Sequence, residues 1–261
     1  MPPTTQITST DNPRFRELAG LATSVRDRRQ AGLALLDGVH LVATCQQRLG
    51  PPRLLVVSSS GRHRPEVAAL LAANPSVESL EFSDALFRRL STVDNPTGII
   101  AVIDTPAREA IPADSGPCVL LEDIQDPGNL GSILRSTAAA GIRHVYLSPH
   151  CADLWSPKVL RAGMGAHFYL ECFAGVDLGG FAKTFPGRLI ATHHQARQTI
   201  FQTDLTGQIG LIFGNEGAGL SRALLDTVST VVAIPMPGGT ESLNLAAAAA
   251  VCLFERVRQL G

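Results

Sequence analysis

Three short segments in the C-terminal half of the chain set polar side chains and glycines where chemistry is possible. In LLEDIQDPGNLGSILRSTAAAGI an apolar strand runs through a Pro/Gly turn into a helix that the pattern starts near Leu130. Asn129 stands where an N-cap belongs, and Arg135 follows six residues later in a helix otherwise small and apolar. In IGLIFGNEGAGLS, Gly214, Gly217 and Gly219 surround Asn215 and Glu216. Glycines let backbone amides approach a ligand closely or take positive φ. Their order, GxxGxG, is not the GxGxxG fingerprint of dinucleotide sites. In VVAIPMPGGTESLNLAAAAAVCLFE a strand ends at Ile234, a loop with two prolines and two glycines follows, and Ser242 and Asn244 open the last helix. Such a loop fixes backbone donors and acceptors in place. Plain capping, a solvated Arg and a tight turn account for each segment taken singly. No His or Cys base is evident in them, and an Arg on such a helix is usually a solvated face residue, so the residues by themselves offer ligand binding by backbone groups.

The elements that must position these residues follow from hydrophobic periodicity. In the C-terminal half, strands are expected at 118–122, 144–148, 167–172, 188–192, 208–213 and 230–234, with helices between them and a last helix from Leu243 to Leu260. Strands this apolar, alternating with helices, indicate a parallel sheet covered on both faces. In the N-terminal half, Leu33–Leu36, Arg53–Ser59 and Gly98–Asp104 read as strands. VHLVATCQQRL, PEVAALLAAN and SDALFRRL read as helices, the last capped by Ser83, giving a smaller α/β domain. The Pro-rich stretch 105–117 divides the chain into 1–104 and 118–261.

A net charge of −1 disfavours nucleic acid as a partner until it is resolved along the chain. Residues 1–64 carry nine Arg against four acids, a net of +5, whereas 65–104 carry two Arg against six acids. A basic stretch of this kind can bind phosphates, and a solvated helix face explains it equally. Cys45, Cys118, Cys151, Cys172 and Cys252 are scattered without CxxC spacing, which disfavours a zinc ribbon or a disulfide framework and leaves small buried apolar residues. No apolar run approaches the ~20 residues of a membrane span and the N-terminus lacks a secretory signal, so the cytoplasm is the expected location.

Taken together, the three segments resemble the signature motifs of the SpoU/TrmH (SPOUT) methyltransferases. NLGSILRSTAAAG resembles motif one, FGNEGAGLS motif two and IPMPGGTESLNLAAAAAVCLFE motif three. DLWSPKVLRAGMGAHF (153–168) is similar to the segment between motifs one and two. More loosely, LDGVHLVATC and PTGIIAV resemble the ribosomal-protein-like substrate-binding domain that many members carry. The resemblance implies an α/β fold in which 118–261 form a trefoil-knotted parallel-sheet domain and 1–104 an RNA-binding domain. It implies S-adenosyl-L-methionine (SAM) as cofactor, no metal, a homodimer through the C-terminal domain, and methylation of a ribose 2′-hydroxyl. By position, Gly214, Ile234 and Leu243 would contact SAM, mainly through backbone groups. Asn129, Arg135, Glu216, Ser242 and Asn244 match the catalytic-site positions. Two residues depart from the pattern: Gly163 stands where many members have Ser, and LDG at Asp37 replaces the commoner EG.

In the family Arg135 is the proposed activator of the 2′-hydroxyl. An arginine resists deprotonation, so stabilisation of a developing alkoxide is the physically easier role. His193 and His194 follow a strand but match no catalytic position and read as loop residues. Ribosomal RNA is favoured over tRNA as substrate. Two readings compete: a catalytically silent RNA-binding factor, which the intact set of five polar residues argues against, and a dehydrogenase, which the absent GxGxxG argues against.

Overall fold

A computed structural model describes residues 5–106, 111–112, 116–193 and 196–261. His194 and much of the 105–117 stretch lie outside the described residues. The chain forms two compact units, one of Met1–Ala107 with Trp155–Phe168, the other of Arg108–Leu154 with Tyr169–Gly261.

The first unit runs β1 (Thr5–Ile7), α1 (Pro13–Thr23), α2 (Val25–Ala31), β2 (Leu33–Asp37), α3 (Val39–Leu49), β3 (Leu54–Ser58), α4 (Pro65–Ala73), β4 (Glu78–Phe82), α5 (Asp84–Leu90) and β5 (Ile99–Asp104). Its sheet has the order β1-β4-β3-β5-β2, with β5 antiparallel to both neighbours and the other pairs parallel. Alternation along β3 divides its side chains between two cores. Leu54 and Val56 pack with Phe15, Leu18 and Leu21 of α1, while Leu55 and Val57 pack with Val42 and Cys45 of α3 and Val67 of α4. The strands β1 and β4 and the helices α1 and α2 are absent from the pattern-based expectation. Their apolar positions are interrupted by charges that the structure ties down: Arg14 bonds Glu78 at 3.0 Å, and buried Arg28 donates to Leu21 O at 2.7 Å.

The chain continues through β6 (Cys118–Leu121), α6 (Pro127–Ala139), β7 (His144–Leu147), α7 (Pro157–Gly163), β8 (Glu171–Ala174), α8 (Leu178–Thr184), β9 (Arg188–Thr192), β10 (Gln198–Thr199), β11 (Ile209–Phe213), α9 (Arg222–Leu225), β12 (Thr230–Ala233) and α10 (Leu245–Leu260). Seven strands form the second unit's all-parallel sheet, in the order β10-β12-β9-β11-β6-β7-β8. One face buries Tyr146 against Phe181 (ring centroids 4.2 Å apart) and Phe173 (5.1 Å). Near the other end of the chain, the last helix α10 packs on α6 and contributes buried Ala249, Cys252 and Leu253. Burial pushes the thiols of Cys118 and Cys252 up to about 12 and that of Cys45 to about 11, so these three behave as small apolar side chains. Cys151 and Cys172 are only half-buried.

Three expectations need correction. The segment 155–168, counted above with the C-terminal domain, belongs to the first unit. Leu160 of α7 and Phe168 sink into the core around α3, and the Arg161 guanidinium donates to Thr92 O at 2.7 Å. For the same reason the strand expected over 167–172 starts at Glu171, because Phe168 is spent on that core and His167 is buried against Trp155. Helix α6 begins at Pro127 rather than near Leu130. Its cap is Asp126, which accepts from Asn129 N at 2.7 Å, so Asn129 is not a cap.

Candidate active site

The four neighbouring strands β12, β9, β11 and β6 run parallel, so the loops at their C-terminal ends gather along one edge of the sheet. In open parallel sheets that edge is where ligands bind. The loop after β6 carries Asp123 to Asp126, the loop after β11 carries Gly214 to Ser221, and the loop after β12 carries Ile234 to Asn244.

Glu216 organises the meeting of the first two loops. Its carboxylate accepts from Gln125 N, Asp126 N and Asn129 Nδ2, each at 3.1 Å. Partial burial pushes the Glu216 carboxyl up, but the bond from Asn129 and those from the backbone together outweigh it and hold the group below its ordinary value. Freed from capping, the Asn129 side chain also accepts from Asn244 Nδ2 at 2.9 Å. Asn244 Oδ1 meanwhile caps α10, accepting from Ala246 N and Ala247 N. Glu216, Asn129 and Asn244 are thus joined in one chain of hydrogen bonds through all three loops. A further tie, missed from sequence, binds Ser221 N and Oγ to the two oxygens of Glu122 at 2.7 and 2.6 Å.

The remaining candidates are placed differently. Arg135 is exposed and makes no hydrogen bond or ion pair among the described residues. Six residues of helix turn it about 120° around α6 from Asn129 and about 9 Å along it, so the two do not share a face. Ser242 is exposed two residues before Asn244 and likewise makes no hydrogen bond among the described residues. Gly214 is buried where only glycine fits: a Cβ there would lie 2.5 Å from the carbonyl of Gly219 and 2.6 Å from Leu220 N. Ile234 is half-buried just after β12, and Leu243 is 39% exposed on the third loop. His193 is held by its backbone, which donates to Val232 O at 2.9 Å.

A profile of the SpoU rRNA Methylase family matches residues 116–254. The chain belongs to that family. A second profile, the MRM3-like substrate binding domain, matches residues 12–101. The chain is 36% identical over 258 residues to a Synechocystis protein described as an uncharacterized tRNA/rRNA methyltransferase, covering 97% of this chain and 93% of that one. It is 32% identical over 271 residues to the 23S rRNA (uridine(2479)-2′-O)-methyltransferase of Streptomyces viridochromogenes, covering 99% and 93%. Among solved structures, the SpoU methyltransferase AviRb from S. viridochromogenes in complex with AdoMet superposes with a TM-score of 0.86 at 29% identity, covering 95% of this chain and 98% of that one.

The SpoU site suits SAM. An adenosine needs apolar cover and backbone hydrogen-bonding groups, and the third loop offers the exposed Leu243 beside two exposed prolines. From Pro235 to Leu243, the only backbone hydrogen bond among the described residues outside helices and strands is a turn from Gly239 N to Met236 O at 3.1 Å, leaving other amides and carbonyls for a ligand. No residue type in the sequence signals that the amides of Gln125 and Asp126 hold Glu216. The acid at the end of strand β6, in LLED, was the available signal for the Glu122–Ser221 tie.

Proposed function

We propose that this SpoU-family protein transfers a methyl group from SAM to a ribose 2′-hydroxyl of ribosomal RNA. The observation that carries the reading is the hydrogen-bonded chain Glu216–Asn129–Asn244, which draws the three motif loops to one edge of the parallel sheet. When bound, SAM supplies a methyl on a positively charged sulfonium, a leaving group that needs no metal. The chain's residues then hold the substrate oxygen in line and stabilise the charge it develops. Arg135 is suited to the second task, because its guanidinium stays protonated and is engaged by no other described side chain. Glu216, Asn129 and Asn244 fix the loops, Ser242 borders the substrate side, and Gly214, Ile234 and Leu243 present backbone groups to the cofactor. The family's trefoil knot is part of the same reading. The relative from S. viridochromogenes, a 23S rRNA methyltransferase, supports ribosomal RNA over tRNA as the substrate.

The first unit supplies RNA affinity on this reading. Part of its basic charge is engaged internally, Arg14, Arg16, Arg53 and Arg62 being paired with Glu78, Asp11, Asp104 and Glu81. Arg26, Arg29 and Arg64 are exposed and left for phosphate. Two copies associate through the second unit, where Phe254 (48% exposed), Leu260 (56%) and Phe201 (53%) leave apolar surface uncovered. No helix among the described residues is long and apolar enough to cross a membrane, and on this reading the enzyme works in the cytoplasm, beside the ribosomal RNA it modifies.

The deciding experiment incubates the protein with labelled SAM and total RNA, then maps 2′-O-methyl groups by their resistance to alkaline cleavage. A resistant site in 23S ribosomal RNA is the expected result. A site in tRNA would replace the substrate, and tight SAM binding without transfer would replace the enzyme with a silent RNA-binding factor.

A further inference from the structure

Asp123 and Met164 are the two described residues other than glycine whose φ is positive, and Asp123, at +55°, stands two residues before Gln125, the first of the residues that bind Glu216. Aspartate tolerates the left-handed region better than most residues, but it needs something to hold it there. Ser148 does so from the end of β7. Its own N–H is fixed on Leu121 O at 3.0 Å, its Oγ accepts from Asp123 N at 2.9 Å, and its hydroxyl donates to Asp123 Oδ1. The reversed residue turns the chain leaving β6, so that the N–H groups of Gln125 and Asp126 point at the Glu216 carboxylate. Its carbonyl in turn accepts from Asn215 Nδ2 at 2.8 Å.

Asn215 is the other half of the device. Its Oδ1 accepts from Gly217 N and Ala218 N, both at 2.9 Å, and its backbone exchanges two bonds with Gly219, at 3.0 and 2.9 Å. These four bonds close the second loop on itself. The one side-chain donor left over ties that closed loop to Asp123. Glu216, the next residue, is thereby brought to its three donors. We propose that Ser148, Asp123 and Asn215 are positioning residues that set Glu216 against the start of α6, and through Asn129 set Asn244 as well. None of the three is marked by the family motifs' catalytic or cofactor positions, and their effect on rate rests on the methyl-transfer reading above. The Glu122–Ser221 tie braces the same loop from its far end, so loss of the Asn215 bond shifts Glu216 without releasing the loop.

Asn215→Asp separates the two jobs of Asn215 in the full-length protein. The carboxylate still accepts from Gly217 and Ala218 but faces the Asp123 carbonyl without a proton to donate. Hydrogen exchange at the amides of Gln125 and Asp126 is expected to quicken about tenfold or more, while Val119 to Leu121 in β6 keep their wild-type rates. In the methyl-transfer assay kcat is expected to fall about 10- to 100-fold, the scale of a small misplacement of reacting groups, with KM for RNA little changed. Asp123→Ala is expected to lose rate similarly, and Asp123→Asn to recover most of it, since Asn accepts both the left-handed backbone and the Ser148 hydroxyl. Wild-type exchange at residues 125 and 126 in Asn215→Asp, or equal rates in Asp123→Ala and Asp123→Asn, would overturn the proposal. If wild-type protein methylates no RNA, the functional reading fails, and the exchange rates still decide the positioning.

Discussion

Arg135 and Glu216 illustrate how differently two motif residues can be legible. The type and place of Arg135 were readable, and the structure leaves it as an exposed cation engaged by no described residue. Arg135→Ala is therefore expected to fold and bind SAM while losing about two or more orders of magnitude in kcat, the scale of a lost charge-stabilising group. Near-normal turnover would remove it from the reaction. Asn129 was readable as polar and at a helix start, yet its capping role was wrong. Asp126 takes the cap because Pro127 fits the first helical position, which frees the Asn129 side chain for Glu216 and Asn244. The environment of Glu216 was not legible, because its donors include backbone amides that no residue type announces. Its carboxyl is held below the ordinary carboxylate value, so the folded state favours the charged form. Its stabilising contribution is accordingly present above the unfolded carboxylate value and lost as pH falls through the depressed one. Glu216→Gln should narrow the gap in Tm between neutral and acid pH, as read by thermal melts across that range.

Helix α10 shows what element-scale reading catches and misses. Its extent was expected almost to the residue, since an Ala run between a polar opening and a charged end leaves little choice. What periodicity did not give is how its two ends are secured. Asn244 caps the first turn and reaches Asn129, so Asn244→Ala should cost about 1 kcal/mol of stability for the cap and a larger share of activity than of Tm. At the other end Glu255 accepts from Arg258 and Gln259, and those bonds bring its carboxyl down to about 2 from an ordinary 4.5. The contribution is present above about 4.5 and lost on descent towards about 2. The Tm difference between wild type and Glu255→Gln should thus be widest at neutral pH and shrink across that interval. A difference independent of pH would mean that the charge is not what matters there. Elements with interrupted periodicity, α1 and β4 above all, escaped because their charges satisfy partners distant in sequence, Arg14 and Glu78 being 64 residues apart.

At the scale of the whole molecule, the two-part organisation was readable from the Pro-rich stretch, but the second contribution to the first unit was not. Nothing in DLWSPKVLRAGMGAHF announces that Leu160 and Phe168 complete a core begun before residue 104. A chain beginning at 105 should consequently expose those side chains and aggregate or melt earlier, even where it retains SAM. Isothermal titration beside a melting curve would separate the two losses. Restoring solubility by Leu160→Gln with Phe168→Ser in that truncated chain is the expected rescue. RNA binding by the full chain should weaken with salt more steeply than that of the truncated one, because fewer counterions are released when Arg26, Arg29 and Arg64 are gone. Equal salt slopes would take the first unit out of RNA binding. The divided unit also imposes an order on biosynthesis. Its last strand, β5, ends at Asp104, yet the residues that fill its second core end at Phe168. At about 5–20 residues per second a ribosome spends roughly 3–13 s on that interval. The nascent N-terminal half passes through those seconds with an open apolar face, because the side chains of Leu160 and Phe168 that close it are not yet made.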